Sequence, residues 1–418
     1  MASPSTVPEN GDGLAWVKHS LSLSPKWAIE PTSEAIVATL KASLDCDQEY
    51  NVTFLHDGAY SKLYEVDIGE QAFVMRVTLP VCSQSLTESE VATLGWVGQN
   101  TSLPVPRVKA YDSSPNNPLG FEWILMTKLP GKPLSERWSS MSMVSKERLV
   151  KQIAAFSTAT FRQQFDGGIG SIYKAASDPR GPFFAASEWV RSRLQIASSD
   201  LTRRLENDIT NDGMKTLQRM LELTKQIEIL MPKFLSPSKK SFVVAPTNPS
   251  LTIIDDARDM PLRTVVYHDN LSFDNILVDD DGVFCGVIDW KCIPCVPLHE
   301  SCQFPLFLQQ AYDRFEEPIQ MHYHIGQHEP PHPAYFHDLQ RYEMSQLRLL
   351  YIEEMLDSAP DFVEIWRNGA SADLRDYEAA VQNCDNESTI DFVSAWVKSQ
   401  DVEKPSQIPK RLHEQLAV

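Results

Sequence analysis

The sequence has no long apolar run. A membrane-spanning helix needs about 20 consecutive, mainly apolar residues, and no segment of this chain has them. The opening residues, MASPSTVPENGDG, also lack the basic stretch followed by an apolar one that a secretion signal would show. We therefore expect no membrane association and no secretion, and hence a cytoplasmic protein.

Cysteine and positive charge are both scarce. Seven cysteines, an odd number at irregular spacing, do not have the pattern of a disulfide framework, so a reducing, intracellular environment is expected. The 38 Lys and Arg residues are outnumbered by 56 Asp and Glu, which gives a net charge of −18. Such a chain repels polyphosphate backbones, and nucleic acid is not an expected partner. An acidic surface suits a cationic or neutral small molecule, but it is also a common route to solubility.

Apolar residues are nevertheless numerous enough to build a large core. Of the 418 residues, 42% are hydrophobic and 22% are charged, as in globular proteins generally. This length suits one large domain or two lobes rather than one small core. No internal repeat divides the chain.

The first 130 or so residues have the pattern of a small antiparallel sheet with helices. A helix is predicted at 30–45 with Thr32 or Ser33 as its cap, and a second in LTESEVATLGWVGQ with Thr87 as its cap. Residues 1–13 are polar, with Pro and Gly, and are predicted to be disordered. Strands are predicted from alternating patterns in NVTFLHDG, KLYEVDIG, QAFVMRVTL, PVPRVKAYD and FEWILMTKL.

The rest of the chain is predicted to be mainly helical. Three amphipathic helices are followed by TVVYHDNLSFDNILVDDDGVFCGVIDW, which has the pattern of strand, loop, short strand, Asp-Gly turn and strand. Residues beyond 300 are again helical. We expect a flexible N-terminus at 1–30, an N-terminal lobe at 31–130 and a helical C-terminal lobe at 131–418.

The segment around the Asp-Gly turn holds the candidate chemistry. Asn275 enters one short strand, and Asp289 ends the next, fourteen residues later. Because the turn folds the two strands onto each other, the two side chains are predicted to lie together at the mouth of a hairpin. Carboxylate and amide oxygens there could bind Mg²⁺. The alternative is that both residues serve only the turn.

The motif H-D-N-L-S-F-D-N-I-L, then G-V-I-D-W, resembles the signature of aminoglycoside phosphotransferase and choline-kinase-like enzymes, and with PLHESCQFP it is similar to the fungal branch. YSKLYEV, FVMRV, ESEVATL and FEWILMTKLPGKPL resemble further family segments in the same order. The likeness runs from about residue 45 to 400. It implies an α+β, bilobal protein-kinase-like fold with a small antiparallel-sheet N-terminal lobe and a mainly helical C-terminal lobe, and it implies ATP and Mg²⁺ as cofactors.

The resemblance also implies roles for particular residues. Arg76 takes the position of the phosphate-binding cation and Glu90 that of its ion-pair partner, with Glu88 as a competitor. Asn275 and Asp289 are the implied metal ligands. The remaining implied nucleotide contacts lie in the phosphate-covering loop and in the connection between the lobes: Gly58, Ser61, Met126, Lys128 and Leu129.

The catalytic loop departs from the family pattern. The implied base is the Asp two residues after His268, which itself braces the loop, but Asn270 stands there. An amide has no basic lone pair, so Asn270 cannot be a general base, although it can orient a hydroxyl. Asp269 or Asp274 could supply a carboxylate. Since general-base catalysis contributes roughly 10²–10⁴-fold and phosphoryl transfer depends mainly on positioning and electrostatics, slow chemistry is predicted rather than none.

Two other groups of residues could bind metal. Cys292, Cys295, His299 and Cys302 have short spacings compatible with Zn²⁺, but buried free cysteines are favoured because the matching family segment holds no metal. A loop contains five histidines, which could bind a metal or line a substrate pocket, although solvated loop histidines are favoured. These are His322, His324, His328, His332 and His337.

The leading hypothesis is ATP-dependent phosphorylation of a hydroxyl on a small molecule. The alternatives are a pseudokinase that binds a nucleotide or a small molecule without transfer, and a kinase fold co-opted to other chemistry in a biosynthetic pathway. Substrate choice is expected to come from helices at about 185–235 and 305–370, where Glu353 and Glu354 could meet a cation.

Overall fold

The computed structural model describes residues 6–7, 13–18, 23–44, 48–173, 181–207, 211–235, 242–243, 252–253, 262–309, 312–323, 332–400 and 411–416. An antiparallel sheet forms the N-terminal region, and a mainly helical region follows it. The predicted fold class is therefore confirmed.

The N-terminal region is a five-stranded antiparallel sheet with two helices. Its elements are β1 (Thr6–Val7), β2 (Leu14–Lys18), β3 (Leu23–Trp27), α1 (Ser33–Ser43), β4 (Tyr50–Asp57), β5 (Ser61–Ile68), β6 (Gln71–Thr78), α2 (Ser85–Asn100), β7 (Val108–Asp112) and β8 (Glu122–Thr127). The main sheet has the strand order β4-β5-β6-β8-β7. Alternate side chains of its three central strands, β5, β6 and β8, are buried under α1, where Ile36 and Leu40 pack on Val66 and Met75 in one apolar cluster.

The two helices of this region begin differently. Thr32 caps α1 as predicted, since its hydroxyl accepts a hydrogen bond from the Ala35 amide at 3.2 Å. The predicted Thr87 cap of α2 is wrong. That helix begins at Ser85, and Gln84 is its N-cap without a side-chain capping bond. Instead, the carboxylate of Glu122 accepts from the Gln84 amide at 2.7 Å, so a neighbouring strand satisfies this helix end.

The chain before residue 30, which we expected to be flexible, contains strands in the part that the structure describes. In its described part, β1, β2 and β3 form a separate antiparallel sheet. Trp27 packs edge-on against Phe121 with ring centroids 5.0 Å apart. Lys62 of β5 lies within 2.9 Å of the Glu30 carboxylate. An aromatic contact and an ion pair therefore fix this segment to the main sheet, and neither is visible in the local sequence pattern.

The C-terminal region contains the remaining elements. They are β9 (Lys132–Pro133), α3 (Leu134–Arg137), α4 (Met143–Phe161), β10 (Phe165–Asp166), α5 (Ala186–Asn207), α6 (Asn211–Phe234), β11 (Phe242–Val243), β12 (Thr252–Ile253), β13 (Arg263–Val266), β14 (Ile276–Val278), β15 (Phe284–Val287), β16 (Cys295–Pro297), α7 (Leu298–Ser301), α8 (Pro333–Ser358), α9 (Pro360–Arg367), α10 (Gly369–Asn383), α11 (Ile390–Ser399) and α12 (Leu412–Leu416). Short 3₁₀ segments lie at Pro80–Cys82, Trp138–Ser140, Leu306–Leu308 and Gln320–Tyr323.

Two apolar cores lie within this region, and a third is shared with the N-terminal region. In one, α4 and α8 pack on each other and on β13 and β14, with Leu149, Ile153 and Leu347 fully buried. In the other, α5 and α6 pack against α10 and α11. The strands β13 and β14 therefore have a rigid helical support, and the loop between them carries most of the predicted catalytic residues.

The connection between the regions is fixed to the β14–β15 hairpin. The two residues of β9 pair with Leu277 and Val278 of β14. Gly131, just before β9, has φ +93°, and a Cβ there would lie 2.7 Å from the Val278 carbonyl oxygen. Only glycine fits this left-handed, closely approached position.

Candidate active site

The β14–β15 hairpin brings Asn275 and Asp289 to one end. Ile276 pairs with Val287, and the Ile288 amide donates to the Asn275 carbonyl at 3.0 Å. Asn275 immediately precedes β14, and Asp289 follows β15 by two residues. The two predicted oxygen ligands therefore lie at the open end of the hairpin, opposite its turn.

Each of these side chains is held by a defined partner. Asn275 is buried, and its amide nitrogen donates to the Asn270 carbonyl at 3.0 Å, so its amide oxygen is the atom left for a ligand. Asp289 has φ +66°, a left-handed conformation that Asp tolerates better than most residues. Its Oδ1 lies 3.5 Å from Arg76 Nη2 and 3.2 Å from Lys291 Nζ.

Arg76 and Glu90 form a buried ion pair. Arg76 lies in the middle of the sheet, on β6, between Leu63 of β5 and Ile124 of β8. Its Nη1 contacts the carboxylate of Glu90 on α2, and both side chains are less than a tenth exposed. Burial raises the pKa of Glu90, while the guanidinium opposes that shift. A carboxylate buried this deeply needs such a partner to stay charged.

Glu88 does not compete with Glu90 for Arg76. Its carboxylate accepts from the Ser113 hydroxyl at 2.5 Å and lies 3.5 Å from the Tyr111 hydroxyl. These partners lie on β7 and just after it, on the other side of α2 from Arg76. The geometry therefore pairs Arg76 with Glu90.

His268 is enclosed beneath the loop. Its Nε2 lies 3.1 Å from the Ile288 carbonyl, and its ring packs edge-on against Trp290. Because a carbonyl only accepts, Nε2 carries the proton. Burial lowers the pKa of His268 to about 4, so the ring is neutral near pH 7. Its Nδ1 is buried without a hydrogen-bond partner in the described chain. The residue is one of those that line a cavity of about 20 Å³, enough for one water.

Asn270 and Asp269 are both accessible to solvent. The Asn270 carbonyl accepts hydrogen bonds from the Ser272 amide and the Asn275 side chain, so the main chain at 270 is well anchored. Surrounding protein atoms, and to a smaller extent the negative charge of Asp289, raise the pKa of Asp269. Asp274 is also exposed and precedes Asn275.

The predicted phosphate-covering loop is a tight turn between β4 and β5. The Gly58 amide donates to the Ser61 carbonyl at 2.9 Å, and a Cβ at Gly58 would lie 3.1 Å from that oxygen. Lys62 Nζ fixes the turn through Asp57 Oδ2 at 2.9 Å. Ser61 itself is buried and pairs with Thr78, two residues beyond Arg76 along β6.

The predicted adenine-side residues follow β8. Met126 is buried at the end of this strand, and Lys128 pairs with Glu65 at 2.6 Å. Leu129 lies beside the hairpin, since its side chain is a close neighbour of Gly286. In the part of the chain that the structure describes, no hydrogen bond or ion pair joins these residues, Gly58 or Ser61 to the Arg76–Asp289 group.

Within the described ranges, the cysteines and histidines do not come together as a metal site would require. The described residues contain no group of three or more His, Cys, Asp or Glu that could hold a metal ion. Cys295 and Cys302 are buried free thiols, as favoured, whereas Cys292 is exposed. His299 contacts Glu378 instead, with Nε2 2.9 Å from the carboxylate.

The histidine-rich loop and the candidate substrate carboxylates are only partly described. His324 and His328 lie outside the described residues. His332 caps α8 by accepting from the Ala334 amide at 3.2 Å. Glu354 already forms an ion pair with Lys151 at 2.9 Å, whereas Glu353 is exposed.

Lys291 is the site residue that sequence reasoning missed. It directly follows the I-D-W motif, and that adjacency to Asp289 was the available signal. Its side chain returns to Asp289, two residues back, and its charge also acts on Glu90. The set formed by Glu90, Arg76, Asp289 and Lys291 is called the charge cluster below.

Comparison with known proteins identifies the family. The family model for the phosphotransferase enzyme family matches residues 51–299, which include the charge cluster and the loop from His268 to Asn275. The chain belongs to the phosphotransferase enzyme family.

Several relatives of this phosphotransferase-family chain are fungal proteins. A subtelomeric hrmA-associated cluster protein of Aspergillus fumigatus is 31% identical over 30% of this chain and 26% of its own length. Clavilactone A biosynthesis cluster protein Y of Ampulloclitocybe clavipes is 27% identical over 55% of each chain. Altered inheritance of mitochondria protein 9 of Yarrowia lipolytica is 28% identical over 39% of this chain and 28% of its own. The matches thus span from about a quarter to about half of these relatives.

Solved structures similar to this chain include aminoglycoside phosphotransferases. The gentamicin complex of APH(2'')-IIa has a TM-score of 0.45 at 11% identity, over 92% of this chain and 99% of the other. APH(4)-Ia has a TM-score of 0.44 at 12% identity, over 88% and 97%. Separately, no helix in the described ranges is both long enough and apolar enough to cross a membrane.

Proposed function

We propose that this protein is an ATP-dependent phosphotransferase that acts on a hydroxyl of a small molecule. The observation that carries the proposal is the contact of one guanidinium, Arg76, with both Glu90 and Asp289. It joins the N-terminal sheet and α2 to the hairpin that holds the oxygen ligands. A polyphosphate bound at this junction would meet a cation from one region and metal ligands from the other.

The residues at the hairpin fit a magnesium ion chemically. The available atoms are an amide oxygen of Asn275 and a carboxylate of Asp289, which are hard oxygen donors of the kind that Mg²⁺ prefers. Asp289 is about a quarter exposed, so a hydrated ion can reach it. When bound, Mg²⁺ would neutralise charge on the phosphate oxygens. The proposed task of Asn275 and Asp289 is to hold that ion, with Gly58 and Ser61 covering the phosphates and Met126 to Leu129 bordering the adenine.

The proton of the substrate hydroxyl needs a different acceptor from that of the family pattern. Asn270 can accept a hydrogen bond through its oxygen and so orient the hydroxyl, but it cannot take the proton. The nearest carboxylate in sequence is Asp269, and its raised pKa makes it a better proton acceptor than an ordinary Asp. We assign orientation to Asn270 and proton acceptance to Asp269. His268 is neutral and braces the loop through Ile288.

A pseudokinase is the second candidate. Asn270 favours it, because the amide removes the usual base. In that case the charge cluster would bind a nucleotide without transfer.

Thermal unfolding with and without Mg²⁺–ATP tests the proposed site. We expect stabilisation of about 2.7 kcal/mol when the ligand is at about 100 times its Kd, and the loss of this shift in Asp289→Ala. Asp281→Ala is the matched control, since Asp281 is an exposed carboxylate at the other end of the same hairpin. No shift at millimolar ATP would refute the nucleotide site. Transfer of labelled phosphate to small hydroxyl compounds then separates the phosphotransferase from the pseudokinase.

A further inference from the structure

Two cations converge on one oxygen in the charge cluster. Asp289 Oδ1 lies 3.2 Å from Lys291 Nζ and 3.5 Å from Arg76 Nη2. We propose that Lys291 is a phosphate-binding residue, and that it gives this site affinity for a nucleoside di- or triphosphate even without a divalent metal. This inference rests on the proposed nucleotide site but adds a residue and a property to it.

Access from solvent distinguishes the two cations. The Arg76 side chain is only 8% exposed. Its Nη1 is engaged by Glu90, its Nη2 approaches Asp289, and its Nε is buried without a partner in the described chain. The guanidinium therefore cannot hold a phosphate through two nitrogens, and Nη2, which lies 3.5 Å from Asp289, is the atom left to meet one. Lys291 is 33% exposed, and Asp289 is its one ion-pair partner among the described residues, so its ammonium can meet an incoming anion.

The backbone around Lys291 explains its position. Asp289 and Cys292 both have positive φ values, +66° and +58°. These two left-handed residues bracket Trp290 and Lys291, and Lys291 and Cys292 form a turn. Trp290 is buried, so it fixes the turn in the core. The Lys291 side chain is thereby directed back over Asp289.

The charges of the cluster also favour phosphate binding by Lys291 without a metal. Glu90 and Asp289 contribute two negative charges, and Arg76 and Lys291 two positive ones, so the cluster is neutral as it stands. Without Lys291 it would carry a net negative charge and repel phosphates, unless a metal ion bound to Asp289. Residue 270 adds no further negative charge, because it is Asn, whereas the neighbouring Asp269 is a carboxylate that interacts with Asp289. Lys291 and a metal ion therefore have overlapping electrostatic effects.

Calorimetric titration of the full chain with ADP, in EDTA and in Mg²⁺, tests the inference. The unsubstituted protein is expected to bind ADP in both buffers. Lys291→Gln should weaken binding in EDTA by at least about tenfold, the size expected for one charge-assisted hydrogen bond. In Mg²⁺ the loss should stay within about threefold, since the metal then supplies the missing positive charge. Lys291→Arg should retain binding in EDTA.

Controls separate this role from a merely structural one. Lys151→Gln removes another partly exposed, ion-paired lysine, on α4, and should leave both affinities unchanged. Equal affinity of Lys291→Gln and the unsubstituted protein in EDTA would overturn the inference, as would an absolute need for Mg²⁺ in the unsubstituted protein. Both results leave the proposed function standing. No ADP binding in either buffer would overturn the inference and the proposed function together.

Discussion

Residue 270 sits in a loop whose shape does not depend on its side chain. The two hydrogen bonds that anchor this position end on its carbonyl oxygen, from the Ser272 amide and the Asn275 side chain. The Asn270 side chain itself is exposed. Its replacement therefore changes the chemistry of the loop without disturbing its geometry.

Asn270→Asp should raise ATP turnover by about one to three orders of magnitude, because it restores a carboxylate where a substrate hydroxyl would lie. Steady-state ATP turnover with Mg²⁺ measures the effect. Asn270→Ala is the control and should give no gain, since it removes the amide without adding a base. If Asn270→Asp also gives no gain, any transfer uses another proton acceptor, and Asp269→Asn should then abolish it.

The positions of individual side chains were predictable only where local turn chemistry sets them. The Asp-Gly turn folds β14 onto β15, so the presence of Asn275 and Asp289 at one end of the hairpin could be predicted, whereas the register shift between Leu277 and Val278 could not. The direction of Lys291 could not, because it depends on a positive φ at Asp289 and Cys292. Both residues most often adopt negative φ, and nothing in the sequence marks the exception.

The helix α2 presents two carboxylates to different neighbours. Residues two apart on an α-helix point about 200° apart, so Glu88 and Glu90 cannot serve the same face. Glu90 faces Arg76 and is buried, whereas Glu88 faces Ser113. The sequence predicted the extent of this helix to within two residues, but its rotation is set by packing on the sheet. That is why both glutamates remained candidates.

Glu90→Gln should lower the free energy of unfolding by about 3 kcal/mol, because it leaves the buried Arg76 with only the longer contact to Asp289. Glu88→Gln, on the same helix, should change it by no more than about 1 kcal/mol. Urea unfolding of both variants gives the comparison. Equal losses in the free energy of unfolding would mean that the Arg76–Glu90 pair stabilises the fold no more than the contacts of Glu88 do.

At the scale of the whole molecule, an acidic chain folds with carboxylates in its interior. Glu300 on α7 faces Glu378 and Gln382 of α10, with Asp269 also acting on it. Burial and the charge of Glu378 raise the pKa of Glu300 to about 8. Such a contact between segments almost 80 residues apart cannot be predicted from local pattern, unlike the order of strands and helices.

Glu300 should make stability depend on pH. The pKa of Glu300 is higher in the folded than in the unfolded protein. Its contribution to the free energy of unfolding is therefore complete below the unfolded-state pKa of about 4.5 and is lost as pH rises through about 8. Glu300→Gln imitates the protonated form. Between pH 6 and pH 8.5, the free energy of unfolding of this variant should gain on the order of 2 kcal/mol relative to the unsubstituted protein.

Urea unfolding at the two pH values measures this difference. Glu353→Gln, an exposed glutamate on α8, is the control and should show no relative change. If the difference in the free energy of unfolding between Glu300→Gln and the unsubstituted protein is the same at both pH values, Glu300 titrates as an ordinary carboxyl.

The pairing of β9 with β14 has a consequence for the construction of chimeras. From Gly131 onwards the connecting chain is bonded to the hairpin that carries Asn275 and Asp289. A crossover that exchanges the N-terminal region between relatives should therefore lie before Gly131. A junction after Pro133 would bring in a foreign edge strand and place a foreign backbone against Val278.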